Sequence, residues 1–204
     1  SVDLQPIRAF LETSHATLAE KAEAFGRDVL RTRKPPENDV EGRSEARVLL
    51  KLMGEAGLFE PIQARDYRGC CLLREILSFH SPLADAVFAL QALGATPLLL
   101  SGTPLQMALA HEAVSGAAMG AFAMTEPEAG SDAHAMACLA RRDGDSYVLN
   151  GVKTLIENGF GGGALSPENV EGTVEEILRF DPALHLFTRW AYEEVEIAGH
   201  TFRR

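Results

Sequence analysis

Two short stretches concentrate the residues whose types and spacing could do chemistry. Residues 122–132 read Phe-Ala-Met-Thr-Glu-Pro-Glu-Ala-Gly-Ser-Asp, and further on comes Tyr147-Val-Leu-Asn-Gly-Val-Lys153. Apolar runs on either side of a Thr/Pro/Gly/Ser loop predict a strand, a polar turn rich in exposed backbone, and a hairpin. Such a turn presents amides to an anionic or heterocyclic ligand. Gly130 permits close approach of that ligand to the main chain. A single Thr-Glu-Pro or Gly-Ser-Asp tripeptide is an ordinary capped turn; the whole string followed by a hairpin favours a binding segment, because context is what confirms a motif.

The elements that must position this segment are mostly helical. Leu4, Ile7, Leu11, Leu18, Ala22, Phe25 and Val29 lie on one apolar stripe and predict a long first helix, ended by Pro35-Pro36. Val48, Leu49, Leu52 and Leu58 repeat the spacing. Leu72–Phe79, Leu83–Leu93 and Pro104–Val114 predict three more helices, so residues 1–115 read as helical. From Ala118 the pattern changes to short runs at Ala121–Met124, Ala137–Ala140, Tyr147–Leu149 and Lys153–Ile156. Asp143-Gly144-Asp145 and Asn150-Gly151 divide them as hairpin signals. Pro167–Phe180 predicts a helix with a Thr173/Glu176 capping box. Val195–Ile197 and Thr201–Arg203 predict strands around Ala198-Gly199. The expected fold class is α+β, mainly α: an N-terminal helical bundle, a partial antiparallel β-domain, then a helix plus β-hairpin.

Composition narrows the partners. A chain of 204 residues can bury a substantial core, and 46% hydrophobic with 24% charged residues is ordinary for a globular protein. The net charge of −10, with no basic-aromatic stripe, argues against nucleic acid, which needs clustered Lys and Arg to release counterions. The most apolar stretch, Ala86 to Leu100, contains Gln91, Gly94 and Pro97 and reads as too short and broken to span a bilayer. No basic-then-apolar leader opens the sequence, and a cytoplasmic location is expected. Cys70, Cys71 and Cys138 are expected to stay reduced, and the six histidines show no spacing that suits a metal.

The 122–132 string and the 147–153 hairpin together resemble the flavin-binding segment of acyl-CoA dehydrogenases. Pro82-Leu-Ala-Asp-Ala-Val-Phe-Ala-Leu-Gln91, Gly102-Thr-Pro-Leu-Gln106 and Arg141-Arg-Asp-Gly-Asp145 extend the likeness over residues 1–160. The resemblance implies a helical domain over 1–117 and part of a β-domain over 118–160. It implies FAD as cofactor, an acyl-CoA thioester as partner and substrate, and self-association into a homo-oligomer as an open option. It also implies that Thr125 bonds the flavin edge, that backbone at Phe122 and Met124 meets its pyrimidine side, that Gly130 permits close approach, and that Ser131 contacts cofactor phosphates or the CoA arm. Leu155, Ile156 and Glu157 fall on the segment that flanks the ring. Here the sequence departs from the family pattern of Lys-x-Trp-Ile-Ser/Thr-Asn-Gly: Leu155 offers no aromatic plane, and Glu157 sets a carboxylate where a small hydroxyl would donate. Both departures imply weakened flavin affinity. The family's catalytic glutamate lies in a C-terminal helical domain that residues 161–204 do not resemble, so no catalytic base is assigned.

Beyond a Gly-rich junction at 161–165, residues 166–204 resemble a fragment of haem-thiolate monooxygenases (cytochrome P-450). Glu176 and Arg179 match that family's Glu-x-x-Arg pair, and Arg189 falls where a haem propionate is held. No cysteine lies in a Phe-x-x-Gly-x-x-x-Cys-x-Gly loop, so no haem is expected. The expected function is an incomplete acyl-CoA dehydrogenase-like segment without independent turnover. A non-catalytic helical association module is the alternative, and a haem monooxygenase fragment ranks third.

Overall fold

A computed structural model describes residues 2–144 and 146–156, and the backbone of 195–197 and 200–202. Capping chemistry sets most of the helix boundaries. α1 (Thr13–Asp28) starts after Glu12, whose N–H donates to His15 Nδ1 at 2.8 Å. α2 (Asp39–Glu55) is capped by the Asn38 side chain, which accepts from Glu41 N–H at 3.0 Å. α3 (Glu60–Ala64) is a single short turn of helix. α4 (Tyr67–His80) is capped by Asp66, α5 (Pro82–Ser101) by Ser81 with Pro82 in its first turn, and α6 (Pro104–Val114) by a Thr103/Gln106 capping box.

The long first helix expected from Leu4 to Val29 is not continuous. A 3-10 stretch runs from Gln5 to Phe10, and the chain is extended at Leu11 and Glu12 before α1 begins. Leu4 and Ile7 are three apart, a spacing that a 3-10 turn satisfies as well as an α-helix, so periodicity alone could not tell them apart. Arg68 on α4 holds the break by donating to the Phe10 carbonyl at 3.0 Å.

Leu49, Met53, Leu58, Phe59, Leu72, Leu73, Ile76, Leu77 and Phe88 are fully buried and form the centre of the bundle. The Phe59 and Phe88 rings stack with centroids 6.0 Å apart. α5 packs on α2, α4 and α6. Polar ties join the helix ends around this core. His15 Nε2 donates to Asp66 at 3.0 Å, and Arg74 forms a two-pronged bond to the buried Asp85 carboxylate at 2.8 and 2.9 Å. His80 sits between Arg31 Nε, which donates to its Nδ1 at 3.1 Å, and Glu23, 2.9 Å from its Nε2. Gly26 makes room for that imidazole: a Cβ there would lie 2.2 Å from His80 Cδ2.

The apolar stretch read as too broken for a bilayer is a continuous helix of 20 residues, long and apolar enough by itself to cross one. Gly94 does not interrupt it, and Pro97 is tolerated near its end, where only one internal donor is lost. Half of its most apolar window is buried against the neighbouring helices.

The β-part is smaller than the sequence implied. β1 (Leu139–Asp143) and β2 (Ser146–Asn150) pair antiparallel, with Arg141 opposite Val148, and the turn carries Gly144 at φ +61°. Ala121–Met124 and Lys153–Ile156 are not strands among the described residues: a strand needs a ladder, and the backbone bond joining these stretches is the single one from Thr154 N–H to the Thr125 carbonyl. Asn150-Gly151 does not close a hairpin either. Gly151, at φ +152°, lets Cys138 approach to where a Cβ would be 2.5 Å from its sulfur. Farther along, β3 (Val195–Ile197) pairs with β4 (His200–Phe202), one residue earlier than the expected Thr201–Arg203. The expected helix over 167–180 and the junction at 161–165 lie outside the described residues.

Truncation of the aromatic pair should be costly. Phe88→Ala is expected to destabilise the bundle by about 3–5 kcal/mol, whereas Leu149→Ala on the exposed hairpin should fall within about 0.5 kcal/mol of the parent. Urea titration followed by far-ultraviolet circular dichroism measures both, and equal midpoints would contradict this placement of the core.

Candidate functional site

The segment singled out by its sequence is organised by one carboxylate. Glu126, only 7% exposed, accepts from the Ala137 N–H at 2.6 Å, the Cys138 N–H at 3.0 Å and Lys153 Nζ at 2.7 Å. Lys153 Nζ also donates to the Met124 carbonyl at 2.9 Å and lies 3.4 Å from Met136 Sδ. Thr154 N–H donates to the Thr125 carbonyl at 2.8 Å. Glu126 and Ala129 close the intervening turn with reciprocal backbone bonds of 3.0 and 3.2 Å around Pro127. Three distant stretches, 124–129, 136–138 and 153–154, are thereby clamped at one point.

The clamp uses the carbonyls of Met124 and Thr125 and leaves donors over. Among the described residues, the backbone N–H groups of 121–125 donate to no partner in the chain, nor does the Thr125 hydroxyl. Phe122 and Met124 are 37% and 41% exposed beside them. Unpartnered amides at 122–125, the Thr125 hydroxyl and the exposed Phe122 and Met124 side chains can together meet the polar edge and the face of a heterocycle.

Residues 121–160 match the family described as the acyl-CoA dehydrogenase middle domain. The chain carries an acyl-CoA dehydrogenase-like segment. It is 31% identical to a 3-(aryl)acrylate reductase of Clostridium sporogenes over 157 residues, covering 72% of this chain and 41% of that protein. An acyl-CoA dehydrogenase of Bacillus subtilis is 35% identical over 120 residues, covering 54% of this chain and 32% of the relative. The chain therefore spans well under half the length of the curated relatives it matches. The fold is shared with a solved acyl-CoA dehydrogenase of Bacillus anthracis complexed with FAD, at 23% identity and a TM-score of 0.60, covering 76% of this chain and 28% of that one.

Within this acyl-CoA dehydrogenase-like segment, Met124 and Thr125 lie alongside Lys153, Thr154 and Leu155, so the two parts of the expected flavin contact are brought together. Leu155 turns outward, 62% exposed with a left-handed backbone at φ +53°, and the next residue, Ile156, is buried. Phe122 lies just upstream. Gly130 and Ser131 are exposed beyond the Glu126–Ala129 turn, and a Cβ at Gly130 would meet nothing within 4 Å. Glu157, Glu176, Arg179 and Arg189 lie outside the described residues. Sequence reasoning missed Glu126 and Lys153. Their signal was an acid just before Pro127 and a Lys heading the later apolar run, but the pairing is tertiary and neither spacing announces it.

The Lys153 ammonium, then the Ala137 N–H, hold the Glu126 carboxyl below its ordinary value of 4.5; burial works the other way, and the Cys138 N–H adds to the lowering. A depressed folded-state value means that the clamp's contribution is full above 4.5 and is lost as pH falls through the lowered value. Amide chemical shifts of Ala137 and Cys138, followed by NMR against pH, should therefore titrate with a midpoint below 4.5. Lys153→Met should move that midpoint upward, and a midpoint at or above the ordinary value in the parent would overturn the clamp.

Proposed function

We propose that this chain contributes the flavin-holding portion of an acyl-CoA dehydrogenase-like oxidoreductase, with FAD as cofactor and an acyl-CoA thioester as substrate. The observation that carries the proposal is the set of unpartnered N–H donors at 122–125, fixed by the Glu126–Lys153 clamp with the Thr125 hydroxyl beside it. These groups fit a flavin: the amides and the hydroxyl match the acceptors of its pyrimidine edge, and Phe122 and Met124 offer apolar surface to the ring. Gly130 and Ser131, exposed with open space around the glycine, would receive the phosphates or the CoA arm. When bound, FAD accepts hydride from the β-carbon of the thioester. One relative is named for reducing an aryl acrylate, which concerns the same α,β bond in the opposite direction.

No base is assigned among the described residues. Glu126, within the flavin segment, already accepts from three donors while its carboxyl is held below its ordinary value. A general base must reach the α-proton within hydrogen-bond distance, and no described acid is assigned that role. For residues 166–204 our proposal remains a cytochrome P-450-like fragment without haem, supported by Glu176, Arg179 and Arg189 in the sequence. Adding haemin and reducing under carbon monoxide should give no thiolate-type Soret band, and such a band would reverse that reading.

Fluorescence titration of the stripped protein with FAD should show saturable binding, and Thr125→Ala should weaken it about tenfold through loss of one hydrogen bond to the ring. Absence of saturable binding would sink the proposal. Anaerobic mixing of the flavin-loaded chain with acyl-CoA thioesters should leave the oxidised flavin band in place, because loss of a base removes roughly 10²–10⁴-fold in rate. Rapid bleaching would reveal a base that this reading lacks.

A further inference from the structure

Gln91 on α5 is fully buried, and nothing in the flavin reading uses it. Its side-chain amide satisfies three backbone groups outside its own helix. Nε2 donates to the Ala113 carbonyl at 2.7 Å and to the Ala118 carbonyl at 2.9 Å, and Oε1 accepts from the Gly120 N–H. Ala113 belongs to the last turn of α6, and Ala118 and Gly120 belong to the linker that leads directly into the donor row at 121–125. Two donors and an acceptor in one plane are what a carboxamide supplies, and no apolar side chain of that volume reproduces them.

The same linker is gauged from a second side. Three residues on from Gln91, a Cβ at Gly94 would stand 3.0 Å from both Ala121 N and Gly120 Cα. A Cβ at Gly120 would in turn stand 3.1 Å from Gln91 Oε1 and from the Leu90 carbonyl. α5 and the linker therefore meet backbone to backbone, with the carboxamide as the fastener.

We propose that Gln91 is the positioning residue for the flavin segment: by fastening Ala118 and Gly120 to α5 it sets the course of residues 121–125, and through them the affinity for FAD. The flavin half of this inference rests on the function proposed above, and the fastening half does not.

The test uses the full chain with three variants. Gln91→Leu removes all three bonds at similar volume. Gln91→Glu keeps the acceptor for Gly120 but, when ionised, faces two carbonyls with no donor; when protonated it regains one. Gly94→Ala leaves the carboxamide intact, suits a helix better than glycine, and pushes on the linker from the other side. Hydrogen exchange read by NMR at pH 7 should show the Gly120 amide losing about tenfold of its protection in Gln91→Leu, the effect of one buried bond removed, while amides inside α1 and α4 keep theirs. FAD affinity, measured well below the melting temperature, should fall about tenfold in Gln91→Leu and measurably in Gly94→Ala. In Gln91→Glu the affinity should weaken as pH rises through the titration of the new carboxyl, a dependence absent from the parent over the same range. A merely structural Gln91 would lower the melting temperature without giving that pH profile. Unchanged Gly120 protection in Gln91→Leu overturns the fastening whether or not flavin binds. Lost protection with parental FAD affinity overturns the coupling. Failure of the parent to take up FAD sinks the proposed function and with it the coupling, and leaves the exchange data to decide the fastening.

Discussion

A carboxylate withdrawn from water must find donors within the chain, and at Glu126 that demand shapes everything around it. Two amides from 137–138 and the Lys153 ammonium answer it, and because they come from separate stretches, satisfying one side chain fixes the mutual position of all three. Lys153 then spends a further bond on the Met124 carbonyl, and Thr154 another on Thr125. The segment is ordered by side-chain electrostatics where a sheet would have used a ladder. Its N–H groups remain open as a result.

The helical part applies the same economy at its helix ends. Asp66 caps α4 and also accepts a hydrogen bond from His15 Nε2, while the other ring nitrogen receives the Glu12 N–H, so one imidazole ties the starts of α1 and α4. Arg74, midway along α4, reaches the Asp85 carboxylate in the first turn of α5. These ties lie at the rim of a core made of Leu, Ile, Met and Phe, which carries the stability. Cys70, half-buried near Asp66, has its thiol pushed up to about 11 by burial first and by that carboxylate second, which makes it a packing residue and a poor nucleophile.

Helices were legible because their signals are local. Ser81-Pro82 and Thr103-Pro104 announce starts that the structure keeps, and the stripe from Leu72 to Phe79 falls inside α4. The short α3 was not legible, since five residues carry too little helical period to be seen. Ala121–Met124 misled for the opposite reason: an apolar run states a preference for extended backbone, but whether it becomes a strand depends on a partner that sequence does not name. Thr125, Met124 and Leu155 could be placed near one another from the motif. The clamp that brings them there could not, because Glu126 and Lys153 are 27 positions apart and each reads alone as a surface charge.

The β1–β2 hairpin is exposed along its whole length. Two strands alone bury too little to hold themselves, and among the described residues each has an unpaired edge. The edges are not equivalent. β1 carries Arg141 and Arg142, charges that discourage docking of another strand, whereas β2 reads Ser-Tyr-Val-Leu-Asn with no charge at all. The open rim of β2 is therefore the template of this small sheet. A strand added there would zip onto Tyr147–Leu149 and turn a marginal ribbon into a stable layer.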